Sequence, residues 1–248
     1  MGQNAQRLRS SRSRGEIGVI GVDFMNSVKI KIEDVESLVT ESEKNIQIND
    51  IPEEKFELVW EHLRMGYSGY EVFFCFNSER MQPNQKVPVE FLDKINANRI
   101  DDMLNFKLSE DDFTPTENEL EIAMLTGEGF SEFATFHDNR NPDMFWTSAR
   151  LKKRLDIWQI LTLKKSGRLI GYTMTMITTR NTEIFVIESE DELTFKALLS
   201  TTSQHAFAVG KKEILYMVDR GAPEHHQQIA KDLGFRNTGF YQGFQVFL

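Results

Sequence analysis

EILYMVDRGAPEHHQQIAKDLGFRNTGFYQGF, residues 213–244, is the stretch whose reading decides the fold. Its apolar run Ile214–Val218 has the composition of a buried strand. Pro223 suits the first turn of a helix, where its missing N–H costs nothing, and Gly234 suits a helix end. Leu233-Gly234-Phe235 then leads into two closing strands. The order is buried strand, short helix, tight stop and a return to the sheet.

Working backwards, Leu193–Val209 has Phe195, Leu198, Leu199, Thr202, Ala206 and Val209 on one face at helical spacing, with Gly210 as a stop. Glu183–Glu188 reads as a strand. Trp158–Lys164 and Leu169–Ile177 read as a hairpin across Lys165-Ser166-Gly167. Gly129–His137 is a short helix, and a longer one is expected from Asn141-Pro142 to about Asp156. Leu120–Leu125 is the first strand of this C-terminal region. The acidic, proline-containing SEDDFTPTEN makes 111–118 a linker. Before it, residues 27–110 read as a smaller α+β region. It has a helix over 52–65, an apolar strand at Tyr70–Phe76, a short helix over 89–96 and a strand at Met103–Leu108. Residues 1–26, with Arg7, Arg9, Arg12 and Arg14 among serines, are expected to be a disordered tail.

Composition narrows the function. The net charge of −9 disfavours a nucleic-acid binder, which needs clustered Lys and Arg to neutralise phosphates. No apolar run approaches the roughly 20 residues of a membrane span. The single cysteine, Cys75, allows neither an internal disulfide nor a cysteine-rich zinc site, and its Phe neighbours suggest a buried thiol. A reduced, cytoplasmic protein without metal is the expectation.

The order strand, two helices, hairpin, strand, helix, strand, helix and closing strands over 119–248 resembles the GNAT superfamily of N-acetyltransferases. The cues are GRLIGYTMTM (167–176) with Gly171, the helix 193–209 closed by Gly210 before KKEILYMV, and AKDLGFRNTGFY (230–241). The resemblance implies an α+β fold, with a mixed, mostly antiparallel sheet flanked by helices. It also implies a splay between the fourth and fifth strands, where the pantetheine arm of acetyl-CoA bonds to strand backbone, here Ile184, Phe185, Val186 and Ile187. The cofactor diphosphate would rest on N–H groups at the start of the central helix. The acceptor would be a primary amine on a small molecule or peptide. Glu183 would be the base, and Tyr216 or Tyr241 the acid. FELVWEHLRMGYSGYEVFFCF (56–76) loosely echoes the end of such a domain, so 27–110 reads either as a reduced half of a tandem arrangement or as an unrelated cap.

The diphosphate positions depart from the pattern. Glu190 stands where an arginine is expected, and Leu193 and Phe195 where glycines are. Glu188, Glu190, Asp191 and Glu192 crowd the approach, so acetyl-CoA binding is expected to be weak or absent. Three readings stay open: an acyltransferase, a non-catalytic GNAT-fold domain for sensing or association, with a homodimer allowed, or transfer from an acyl donor lacking the usual diphosphate, such as a carrier or aminoacylated molecule. Other polar residues have ordinary explanations. His225 and His226 diverge on a helix, Arg150–Arg154 makes a solvated basic face, and His137, Asp138 and Asp143 belong to a loop. Met144, Phe145 and Trp146 suit core anchoring.

Overall fold

The structure, a computed structural model, describes residues 27–142, 144, 146–177 and 182–248. The expected tail, Asp143 and Phe145 lie outside the described residues. The N-terminal half contains strands β1 (Val28–Ile32), β2 (Val35–Thr40), β3 (Asn45–Asn49), β4 (Glu71–Asn77) and β5 (Asn98–Ser109), with helices α1 (Phe56–Gly66) and α2 (Val89–Lys94). The C-terminal half contains β6 (Ile122–Met124), α3 (Phe130–Arg140), α4 (Ser148–Lys153), β7 (Trp158–Lys165), β8 (Arg168–Ile177) and β9 (Thr182–Ser189). It ends with α5 (Glu192–Ala208), β10 (Glu213–Asp219), α6 (Glu224–Asp232) and β11 (Arg236–Phe247).

All eleven strands join one sheet in the order β1-β2-β3-β4-β11-β5-β10-β9-β8-β7-β6. Two neighbouring pairs are parallel, β3–β4 and β9–β10, and the other pairings are antiparallel. Each parallel pair is joined by a helical crossover, α1 in one case and α5 in the other, as a parallel connection requires. The protein is therefore α+β, with the mostly antiparallel, helix-flanked sheet expected of the GNAT fold.

The last strand of each half is exchanged. β5 follows β4 in sequence yet pairs with β10 and β11, while β11 pairs with β4 and β5. The two halves thus share their central ladder. The segment leaving β5 is also tied to the C-terminal half, with Thr114 N–H donating to Leu233 O and Thr116 N–H to Ser200 Oγ. Gly234, with φ +99°, makes this approach possible, because a Cβ there would sit 2.0 Å from Asp112 O.

The buried side of α5 anchors the C-terminal half. Phe195, Leu198 and Leu199 are fully enclosed, each worth roughly 1.5–3 kcal/mol relative to exposure. The helix lies close on β8 because residue 171 is glycine. A Cβ there would meet Glu188 O at 2.7 Å, and Leu198 and Thr194 side-chain carbons at 2.9 Å. That contact fixes the start of α5 against the end of β9.

Three local expectations need correction. The long helix to Asp156 is only Ser148–Lys153, capped by the Thr147 hydroxyl and anchored by Asp138, whose carboxylate accepts from Ser148 N–H (2.9 Å) and Oγ–H (2.6 Å). The two closing strands are one, β11, whose glycines mark register shifts at Asn237/Gly239 and Gly243/Phe244. The strand expected at Met103–Leu108 runs from Asn98 to Ser109, because its polar first half, before the β10 ladder begins at Met103, is held by pairing with β11.

Candidate active site

The site arises where β9 and β10 part. Their parallel pairing covers Thr182–Ile184 against Ile214–Tyr216 and then stops. Beyond it, β9 continues to Ser189 paired only with β8, and β10 continues to Asp219 paired only with β5. A bulge sits at the parting. Met174 faces Val186 while Thr175 faces Ile184, leaving Phe185 as the extra residue. Bulges bend and twist a strand away from its neighbour. Phe185 packs edge-on against Trp158 with ring centroids 5.3 Å apart.

The wedge opens into a cleft of about 1020 Å³. Phe185–Glu188 form one wall and Tyr216–Asp219 the other, and Asn139–Asn141 at the end of α3, with His225 and His226 at the start of α6, complete the lining. Along Phe185–Ser189 the register supplies no β10 partner. Such a strand edge can bond an extended ligand by strand addition.

The start of α5 meets the cleft, and it is capped from within. The Asp191 carboxylate accepts Thr194 N–H at 2.7 Å, and that bond, with help from the Thr194 hydroxyl, holds its pKa below the usual range. Glu190 is engaged by both terminal nitrogens of Arg168, at 2.6 and 2.7 Å, which lowers its pKa as well. Arg140 lies 3.9 Å from Glu188 and over the Phe136 ring at 4.9 Å. From the start of α6, His226 stacks on Phe195 with centroids 4.0 Å apart and rings within 6° of parallel. Burial first, then His225, pushes its pKa down to about 4, so it is neutral near pH 7.

The residues singled out from sequence fall into distinct places. Phe185, Val186, Ile187 and Glu190 line the cleft, and Ile184 is the last residue paired with β10. Tyr216 also lines it, 6% exposed, opposite Ile184. Glu183 is 5% exposed between Met176 and Leu215 and lies behind the cleft rather than on its wall. Tyr241 is buried in β11 beside Cys75, with its hydroxyl pKa raised chiefly by burial, and does not border the cleft. Leu193 is 66% exposed, and Phe195 is buried under α6 instead of filling the helix start.

His137 is a buried pin. Its Nε2–H donates to Trp146 O at 2.7 Å, so Nδ1 accepts from the Tyr172 hydroxyl at 2.6 Å. Asn141 Nδ2–H donates to the same hydroxyl at 3.1 Å, which fixes the end of α3 beside the cleft. Burial lowers the His137 pKa and keeps this arrangement uncharged. Sequence reasoning missed Arg140, Asn141 and Asp219 as cleft residues, since they converge from the end of α3 and the end of β10 without a motif. Among the described residues, no cluster of three His, Cys, Asp or Glu could hold a metal. Nor is any described helix long and apolar enough to cross a membrane.

This arrangement is the GNAT fold, and solved structures share it over most of the chain. A conserved protein of unknown function from Staphylococcus epidermidis ATCC 12228 is 11% identical, with TM-score 0.63, over 90% of this chain and 95% of its own. A GCN5-related N-acetyltransferase from Kribbella flavida is 12% identical, with TM-score 0.59, over 88% and 89%. A tandem GNAT protein from the clavulanic acid biosynthesis pathway is 13% identical, with TM-score 0.54, over 86% and 78%. No family model matches the sequence, and no curated protein matches it.

Proposed function

We propose that the protein is a GNAT-type N-acyltransferase that moves an acyl group, acetyl in the simplest case, from a thioester to a primary amine. The observation that carries this reading is the parting of β9 and β10 after Ile184–Tyr216, beside a cleft of about 1020 Å³. An amide-containing arm lies along Phe185–Ile187 as an added strand. The amine comes past Asn139–Asn141 at the end of α3 and attacks the thioester carbonyl; the C–N bond forms, the C–S bond breaks, the nitrogen sheds its surplus proton, and the departing sulfur takes one. In this reading Tyr216, on the cleft wall, donates it and is restored by the proton that the nitrogen sheds. The incoming ammonium must first lose a proton, and Glu188 faces it on the cleft wall, whereas Glu183 lies behind.

The N-terminal half, 27–110, is proposed as the reduced partner of a tandem arrangement, joined by 111–118 to the active half, 119–248. Its β3-α1-β4 unit parallels β9-α5-β10, and the exchange of β5 and β11 is reciprocal. The non-catalytic reading, a GNAT-fold domain for sensing or association, has one observation in its favour: the carboxylate cap at the start of α5.

The test is Ala222→Trp, which places an indole in the cleft from the loop before α6. In calorimetric titration with S-acetylpantetheine, its affinity should fall at least tenfold while the unfolding midpoint stays close to that of the unsubstituted protein. In a mass-spectrometric screen of primary amines with the same donor, the unsubstituted protein should form acyl-amines and Tyr216→Phe should form them at least tenfold more slowly. A chain that binds the thioester without product in a broad screen would belong to the non-catalytic reading.

A further inference from the structure

We infer that the donor accepted by this cleft carries no diphosphate, and that Asp191 sets this exclusion. The inference rests on the acyl-transfer reading of the same cleft. A coenzyme A diphosphate needs the first-turn N–H groups of α5 and a cation beside them. In this chain, Thr194 N–H is already given to the Asp191 carboxylate at 2.7 Å, and Phe195 N–H to Asp191 O at 3.0 Å. The helix start therefore holds its own anion, tethered and always present.

The surroundings point the same way. Glu188, Glu190, Asp191, Glu192 and Asp219 line the cleft, and among its described lining residues Arg140 is the one Lys or Arg. Arg140 faces Glu188, and the Arg168 guanidinium nearby is held in a two-bond fork by Glu190. A diphosphate would have to displace Asp191 and lie among like charges, each unfavourable at short range. Bulk is not the obstacle, since Phe195 is turned into the core against His226. The diphosphate end of a coenzyme A donor does not fit. The arm-binding edge of β9 is unaffected, because it requires only uncharged amides opposite Phe185–Ile187. The matching donor is an acyl thioester on a neutral, pantetheine-like arm, with no phosphate reaching the start of α5.

Calorimetric titration of the full chain with S-acetylpantetheine and with acetyl-CoA separates the outcomes. The expected result is binding of S-acetylpantetheine, with acetyl-CoA bound no more tightly. Asp191→Gly, which frees Thr194 N–H and removes the charge, should tighten acetyl-CoA about tenfold and leave S-acetylpantetheine unchanged. Acetyl-CoA binding at least tenfold tighter than S-acetylpantetheine in the unsubstituted chain would overturn the inference and leave the acyl-transfer reading standing. Binding of neither would overturn both. The comparison of the two probes in the unsubstituted chain decides the matter even where Asp191→Gly fails to fold.

Discussion

The β3-α1-β4 and β9-α5-β10 units share one topology and end differently. In the first, every residue of β3 pairs with β4, from Asn45–Glu71 to Asn49–Cys75, and Asp50 N–H extends the ladder to Cys75 O at 2.7 Å. The chain then turns inward. Ile51 is fully buried, and Phe56 packs between Phe74 and Phe91 with centroids 4.7 and 4.8 Å away. In the second, pairing lasts three residues and the chain leaves through Ser189, Glu190, Asp191 and Glu192. Apolar residues after the strand draw the crossover over the seam and close it. Charged residues must stay hydrated or paired, so the crossover starts at the surface and the seam stays open. The open seam thus goes with the bulge in β9 and the charged exit from it, whereas β3, without a bulge, stays paired to its end.

The largest effect should come from removing residues 236–248. β11 lies between β4 and β5, so its loss leaves both halves with an open ladder. The truncated chain should lose cooperative unfolding altogether, by circular dichroism and by near-ultraviolet signal. An N-terminal half that still unfolded cooperatively would show that the two units are independent, contrary to the exchange of strands.

Next in size is a matched pair of substitutions. Phe74→Ala in the closed seam should cost about 3–5 kcal/mol, because the aromatic contacts around it leave a cavity that cannot collapse easily. Phe185→Ala, buried at 4% exposure but on the cleft wall, should cost about 3 kcal/mol, the low end of that range. Urea denaturation of both variants measures the difference. Equal losses would mean that the second seam is as tightly packed as the first.

Much of this was legible in the sequence where local chemistry decides structure. The Lys165-Ser166-Gly167 turn needs two left-handed residues, and Ser166 and Gly167 have φ of 50° and 77°. The apolar face of α5 was readable from its spacing. The strand exchange was not, because a strand carries the same alternation whichever neighbour it meets, and partner choice is a long-range property. The two closing strands expected after Phe235 are one, because Gly239 and Gly243 accommodate shifts in register within it. In the site, the acids ahead of α5 were visible, but their roles as cap and fork partner were not. The bulge at Phe185 also changes the alternation of β9, so counting along the strand could not tell which of Glu183 and Glu188 would reach the cleft.

The smallest effect concerns pH and contrasts the two aromatic stacks. Phe56 on Phe74 does not titrate, whereas His226 on Phe195 does. The folded His226 pKa is about 4, against an ordinary value near 6.5, so between these values the unfolded chain binds a proton that the folded one does not. Stability should therefore rise with pH through this window and be lost as pH falls from about 6.5 towards 4. The full shift would correspond to roughly 3 kcal/mol, and the partial exposure of the ring reduces this to roughly 1–2 kcal/mol. His226→Phe keeps the stack and removes the titration, so its stability relative to the unsubstituted chain should improve progressively on acidification. Asp50 and Glu71, whose pKa values burial raises, oppose this slope in both chains and cancel in the difference. A constant difference between pH 6.5 and 4 would mean that water reaches His226 freely despite its stack on Phe195.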